Sequence, residues 1–381
     1  VPRHILNTVA ATLLAMNLAV WCGLPAPQIA MACVFIVMQP QPEQVYAKGG
    51  YRLAGTVAGV LAAWAISSLF SASPARLLAA IGGWVTLFTV IAAFHDKLRA
   101  YSIVLTGYTP VVVGIPLAFE ASHIGAGAGN RLAEVAIGVA CAGAVAFLNG
   151  GRRQDGIPAH AATSTAPRAS SPSASPQRQL PAPGAPPPRR WPRLPPAPPR
   201  AGLATLAGPS RAPGPAPASP ARPAAATASL AGLHPAIAIA LMATLWLATS
   251  WRGGPMATLN ATVDCALVAL SARPVRMALQ MSAGTLLAVA IGLALQWCYP
   301  LLPASPWLLF APALAAGAWM TGKPESLGQG LGYSITLCML AYPAGAGHQY
   351  LHDAAGLTLS VFVLTAICAI LSPLRPSPIP P

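Results

Sequence analysis

Pro181-Ala182-Pro183-Gly184-Ala185-Pro186-Pro187-Pro188 lies inside a stretch, Gly151 to Gly232, whose composition resists folding. Its 82 residues include 20 Pro, 21 Ala and 10 Arg, with Asp155 as the one acid. Each Pro removes a backbone donor, and no apolar periodicity runs through the segment, so neither helix nor sheet has a pattern to follow. The stretch reads as a disordered, partly polyproline linker. It separates two oily blocks of similar length, and comparing those blocks decides the fold.

The whole chain has 381 residues, 55% of them hydrophobic and 8% charged. Soluble domains carry about 25% charged residues, so this is the composition of a membrane protein. Lys and Arg total 22 against 8 Asp and Glu, for a net charge of +14. The positive charge sits in the linker and in short loops, with no basic face alternating with aromatics, which argues against nucleic-acid binding. The seven cysteines are scattered and include no C-x-x-C pair, so no disulfide framework is expected. Arg3 and His4 before an apolar run resemble a signal peptide, but no A-x-A site follows. Residues 1–24 are therefore expected to be the first membrane helix.

A bilayer-crossing helix needs about 20 mostly apolar residues. In the first block the expected spans are 5–23, 26–40, 52–70, 76–94, 101–119 and 131–149. In the second they are 234–251, 256–271, 277–299, 305–320, 327–346 and 354–372. With the N-terminus in the cytoplasm, 19 Lys and Arg residues fall inside, linker included, and only Arg76, Arg131 and Arg252 fall outside. The opposite orientation breaks the positive-inside rule. The blocks also match in register. Trp21-Cys22-Gly23-Leu24-Pro25 recurs as Trp251-Arg252-Gly253-Gly254-Pro255, Gly55-Thr56 as Gly284-Thr285, and Tyr101-Ser102-Ile103 as Tyr333-Ser334-Ile335. An even number of helices per block makes the repeats parallel, an arrangement that builds a path between two facing halves. The expected fold is an all-α membrane protein with two parallel six-helix transmembrane repeats. Residues 1–150 and 233–381 form the repeats, and 151–232 form a cytoplasmic disordered linker.

Val37-Met38-Gln39-Pro40, Arg52-x-x-Gly55-Thr56-x-x-Gly59 and Arg131-x-x-Glu134-x-x-x-Gly138 resemble motifs of the fusaric acid resistance / aromatic acid exporter family. The Trp251-x-Gly253 start, Gly284-Thr285 and Pro300-x-x-Pro303 are similar to that family's C-terminal membrane block. The resemblance implies a bacterial inner-membrane efflux protein that expels aromatic or other weak organic acids on the proton gradient. It also implies partnership with a periplasmic membrane fusion protein; a homo-oligomer is a further option. Longer members carry a folded cytosolic domain where this chain has its Pro/Ala/Arg segment, and another where it has the tail Pro373 to Pro381. The segment's residues have GC-rich codons, so it reads as a genuine spacer or as an out-of-frame stretch.

Ionisable groups within membrane helices call for a reason. Asp264, with Asn260 one turn before it, is the candidate proton carrier; the plainer alternative is a carboxylate bonded to a neighbouring helix. Arg131 and Glu134 are spaced to pair on one helix face, unless Arg131 grips a substrate carboxylate instead. Tyr101, Tyr108 and Tyr333 lie on matched helices, where they could stack on an aromatic acid; Tyr101 and Tyr333 are otherwise expected to anchor the inner interface. Gln39, Arg52 and Lys323 are expected near the cytoplasmic mouth, where a basic rim attracts anions. His348-x-x-x-His352-Asp353 has metal-ligand spacing without a further ligand nearby, so neither metal nor cofactor is expected. No phosphate-cradling loop and no hydrolase triad occurs, so the chain does not read as an enzyme or as ATP-driven. Beside proton-coupled export stand two alternatives: a passive organic-anion channel, since plant aluminium-activated malate transporters are distant relatives of the resembled family, and a non-transporting or decayed membrane component.

Overall fold

Proline starts most of the helices here: Pro27, Pro42, Pro74 and Pro274 each sit within the first turn, where the missing N–H costs nothing. A computed structural model describes residues 2–115, 124–154, 225–298, 309–341 and 348–374. Among them it holds twelve α-helices. The first six are α1 (Pro2–Trp21), α2 (Pro27–Val37), α3 (Pro42–Phe70), α4 (Pro74–Ala93), α5 (Lys97–Gly114) and α6 (Ile124–Gln154). The second six are α7 (Ala225–Thr249), α8 (Gly254–Ala269), α9 (Pro274–Cys298), α10 (Ala311–Thr321), α11 (Leu327–Met339) and α12 (Gln349–Leu371).

The expectation of twelve full spans needs correction. Among the described residues seven helices are long and apolar enough to cross a membrane: α1, α3, α4, α6, α7, α9 and α12. At 1.5 Å per residue, the 11-residue α2 is only about 16 Å long, against roughly 30 Å of hydrocarbon. α8, α10 and α11 are also short, with 16, 11 and 13 residues. Short helices leave their end groups within the membrane, which is tolerated where protein rather than lipid surrounds them. In keeping with this, α2 and α8 are mostly buried. The long helices carry the lipid-facing surface, with Leu61, Trp64, Leu69, Phe147 and Phe362 exposed.

Helix boundaries shift in ways that matter later. α3 begins at Pro42, ten residues before the expected start, and α6 begins at Ile124. The Pro/Ala/Arg segment is also narrower than its composition suggests. Ala225–Gly232 is the Ala-rich first part of α7 and 151–154 closes α6, because Ala is the strongest helix former. The rest of the linker, 155–224, lies outside the described residues, as do Pro300, Pro303 and Arg375.

The neighbour relations follow a regular plan. In the first half α1 packs on α2 and α6, α2 on α6, α3 on α5 and α6, and α4 on α5. In the second half α7 packs on α8 and α12, α8 on α12, α9 on α11 and α12, and α10 on α11. Between the halves, α4 and α5 meet α7 and α8, while α10 and α11 meet α1 and α2. Two apolar clusters cross that boundary. One joins Ile81, Leu105 and Val111 to Ile239 and Trp246, and the other joins Met16, Met31 and Phe35 to Phe310, Leu314 and Leu337.

Two details show why small and polar residues stand where they do. A Cβ on Gly55 would lie 2.5 Å from the Ser102 carbonyl oxygen, and one on Gly284 would collide with the Gln329 carbonyl. The α3–α5 and α9–α11 crossings are therefore close backbone contacts, which lipid-embedded helices obtain through glycine. Pro110, inside α5, cannot donate to the Thr106 carbonyl one turn back. The indole N–H of Trp84 donates to that carbonyl instead, at 3.1 Å.

Candidate functional site

Near one end of the bundle, where the α1–α2 turn, the α7–α8 turn and the first turns of α6 and α12 gather, a cavity of about 370 Å³ opens between the halves. That volume lies in the range of small-molecule pockets. Its walls are largely apolar and come from both halves: Ile29 and Ile36 of α2, Val112 of α5, Leu259, Val263 and Leu267 of α8, and Ile335 and Met339 of α11. Against this background stand three arginines, Arg52, Arg131 and Arg252, and two aspartates, Asp264 and Asp353. Tyr108, Gln28, Asn260 and Gln349 complete the polar lining.

Arg52 is not at a cytoplasmic mouth. Because α3 starts at Pro42, Arg52 falls in its third turn, and the side chain is 2% exposed. The guanidinium is held by neutral groups: Nε donates to Cys33 Sγ at 2.9 Å and Nη1 to Tyr101 Oη at 3.1 Å. Tyr101 also has Lys48 Nζ 5.6 Å from its ring centroid, so this tyrosine attends two cations. Arg131 is half-buried, and its Nε is buried with no hydrogen-bond partner among the described residues. The Arg131–Glu134 pairing allowed by spacing does not form. Glu134 is buried and its Oε1 accepts the Ala26 N–H at 3.1 Å, tying α6 to the start of α2. Arg252 is exposed, at the cavity's mouth.

The carboxylates are held by amides one turn earlier. Asn260 Nδ2 donates to Asp264 Oδ2 at 2.9 Å and to Ser360 Oγ of α12 at 2.8 Å. Asp264 is only 5% exposed. Gln349 Nε2 donates to Asp353 Oδ1 at 3.0 Å. None of Arg52, Arg131, Arg252 and Asp264 takes part in an ion pair among the described residues.

Of the residues singled out in the sequence, the cavity therefore gathers Asp264, Asn260, Arg131, Arg52 and Tyr108, with Tyr101 behind Arg52 and Glu134 behind Arg131. Two lie elsewhere. Tyr333 does not anchor an interface: it is fully buried and its hydroxyl donates to the Ala313 carbonyl at 3.1 Å. Gln39 lines a separate small pocket with Arg3 and His4, and its amide donates to the Met38 carbonyl. Lys323 is occupied over the Trp319 ring, 3.5 Å from its centroid. The sequence reading names Arg252 only as an outer basic residue and Asp353 only within a metal-ligand spacing, and gives neither a transport role. A usable signal for Asp353 is the amide-x-x-x-carboxylate spacing that Gln349–Asp353 shares with Asn260–Asp264.

The model of the fusaric acid resistance protein family, FUSC, matches residues 3–164 and 200–378. A 106-residue stretch is 40% identical to the fusaric acid resistance protein FusC of Burkholderia cepacia, covering 27% of this chain and 31% of that protein. A 148-residue stretch is 28% identical to the uncharacterized transporter YdhK of Escherichia coli, covering 38% of this chain and 22% of YdhK. The YdhK of Salmonella typhimurium matches at the same identity and coverage. The chain thus covers less than a third of the length of each of these relatives. No solved structure gives a significant match. With the family model running through both helical halves, this multi-pass membrane protein belongs to the FUSC family of membrane transporters.

Proposed function

We propose that the protein exports small aromatic or other weak organic acids across the bacterial inner membrane in exchange for protons. The observation that carries this reading is the cavity between the halves. It holds the buried Arg52 guanidinium and the half-buried Arg131, neither in an ion pair among the described residues, beside a buried carboxyl set in apolar walls. A desolvated arginine held only by a thiol and a phenol, as Arg52 is, favours an anion, and a guanidinium fork fits a carboxylate in two places. The apolar walls suit an aromatic ring. A carboxyl at the position of Asp264 supplies the proton carrier that such an exchange needs.

In this reading the chain is a doubled six-helix unit with both halves oriented alike, its termini and central segment cytoplasmic. The neighbour plan supports the doubling, since the six closest packing pairs within α1–α6 have their counterparts within α7–α12. The halves rock against each other along the α4–α7 and α1–α10 contacts, exposing the cavity to one side at a time. The proposed topology puts three basic residues on the outer side, and two of them, Arg131 and Arg252, line the cavity. A binding role accounts for these departures from the positive-inside rule. A periplasmic fusion protein would receive the substrate at that end, and a homo-oligomer is compatible with the lipid-facing surface.

The test uses everted membrane vesicles containing the full chain, with an acid lumen and benzoate or hydroxybenzoate outside. Lumenal accumulation that collapses with the gradient is expected. No accumulation of any aromatic acid would sink the reading. Uptake that ignores the gradient and carries current would replace it with a passive channel.

A further inference from the structure

Resting on that export reading, we infer that the cavity is built for a substrate carrying two groups, a carboxylate and a protonated nitrogen, each held by a different half of the protein. The carboxylate meets Arg52 and Arg131 of the first half. The nitrogen meets Asp264 of the second.

The argument starts from how charge is divided. Inside the cavity the first half supplies the buried Arg52 and the half-buried Arg131, and the second half supplies the carboxylates Asp264 and Asp353. Arg252, exposed at the mouth, is the one cation from the second half. The division runs through matching places in the two halves. By the Gly55-Thr56 and Gly284-Thr285 register, the counterpart of Arg52 is Met281. Glu134 touches the start of α2 at Ala26, and Gly356 packs on the start of α8 at Met256 and Ala257. Three residues before these contacts stand Arg131 in one half and Asp353 in the other. At one pair of matching places the halves thus carry opposite charges, and at the other Arg52 stands opposite a neutral counterpart.

Arg52, Arg131 and Asp264 form no ion pair with one another among the described residues. Asp264 Oδ2 is held by the Asn260 amide, and Arg52 by a thiol and a phenol. Arg131 Nε has no partner among the described residues. A buried carboxyl in apolar walls is stabilised in its ionised form only by a cation, and otherwise holds a proton, so a ligand bearing a protonated nitrogen is the one that uses both sides of the cavity. An acid with no second polar group answers the arginines alone. A molecule with a carboxylate at one end and an ammonium at the other answers both, with its apolar body between Val112, Val263 and Ile335. Such a molecule also bridges the halves, so its binding bears on their relative position. On Asp264 the substrate's nitrogen takes the place of the exchanged proton, which gives the two cargoes a shared site.

The discriminating probes are para-(aminomethyl)benzoate and para-ethylbenzoate, which match in size and differ in the charged nitrogen. Binding of each to the purified full-length protein is measured by calorimetry. The wild type should bind the aminomethyl acid about tenfold tighter or more, because a site with a buried polar group discriminates against an analogue lacking its partner. Asp264→Asn should bring the two affinities to within about twofold, while para-ethylbenzoate binding persists. Asp264→Glu, which keeps the carboxylate, should retain the preference and serves if the Asn variant fails to accumulate. Equal wild-type affinities, or a preference that survives Asp264→Asn, overturn this inference and leave the export reading standing. Binding of neither acid overturns both.

Discussion

Arg52→Met should lower aromatic-acid transport by about a hundredfold or more while the protein still reaches the membrane and stays folded. Arg52 is a deeply buried cation of the cavity. A charge-assisted hydrogen bond contributes about 1.5–3 kcal/mol, and two to one carboxylate, lost together, exceed the roughly 2.7 kcal/mol that corresponds to a hundredfold. The fold tolerates the change because the partners left behind, Cys33 and Tyr101, are neutral. Replacing a buried ion by an apolar side chain of similar length is often neutral or stabilising when no opposite charge is stranded. The matched position in the second half already holds a methionine, Met281, in a buried setting. Arg52→Lys keeps the charge and loses the two-pronged geometry, so it should fall between the variant and the wild type. The measurement is initial uptake in everted vesicles, normalised to protein in the membrane. Wild-type rates for Arg52→Met would remove this arginine from the substrate path.

Asp264→Asn should uncouple transport from the proton gradient. The substitution is nearly isosteric, and the new amide oxygen can still accept the Asn260 Nδ2–H that now reaches Oδ2 at 2.9 Å. The Asn260–Ser360 bond that joins α8 to α12 is untouched. What disappears is the exchangeable proton. One pH unit of gradient is worth about 1.4 kcal/mol, which supports roughly tenfold accumulation per proton exchanged. In Asp264→Asn the accumulation ratio should fall to about one at any gradient, while counterflow of preloaded acid continues. Gradient-driven accumulation at the wild-type level would assign proton exchange to another group.

How much of this is legible in the sequence depends on the residue. Asp264 and Asn260 stand out because a carboxylate in an apolar run is costly to bury, and an amide one turn away is placed to hold it. The paired W-x-G-x-P stretches mark the starts of α2 and α8, the two short helices that wall the cavity. Arg52 is misplaced from sequence alone because hydropathy dates α3 from where the apolar run begins. The structure dates it from Pro42, and the ten polar and small residues between carry Arg52 from the rim to the interior. Spans are overcounted for a related reason. Apolar composition reports burial, and the helical parts of α2, α8, α10 and α11 are shorter than the hydrocarbon is thick however apolar they are. The Arg131–Glu134 spacing suggests a pair, but only tertiary structure shows the Ala26 N–H taking the carboxylate. Asp353 is masked by its neighbours His348 and His352, whose spacing draws attention to metals. Only the packing of α12 shows it lining the same space as Asp264.

The central claim, two halves oriented alike around one cavity, can be tested with the cysteines the protein already has. Cys22, just after α1, and Cys298, at the end of α9, are exposed, whereas Cys33, Cys141, Cys265, Cys338 and Cys368 are buried. In intact cells a membrane-impermeant maleimide should label both Cys22 and Cys298 from the periplasmic side, each checked in a variant retaining only that cysteine. If one labels only from outside and the other only after the cytoplasmic face is opened, the halves are not oriented alike and the account fails.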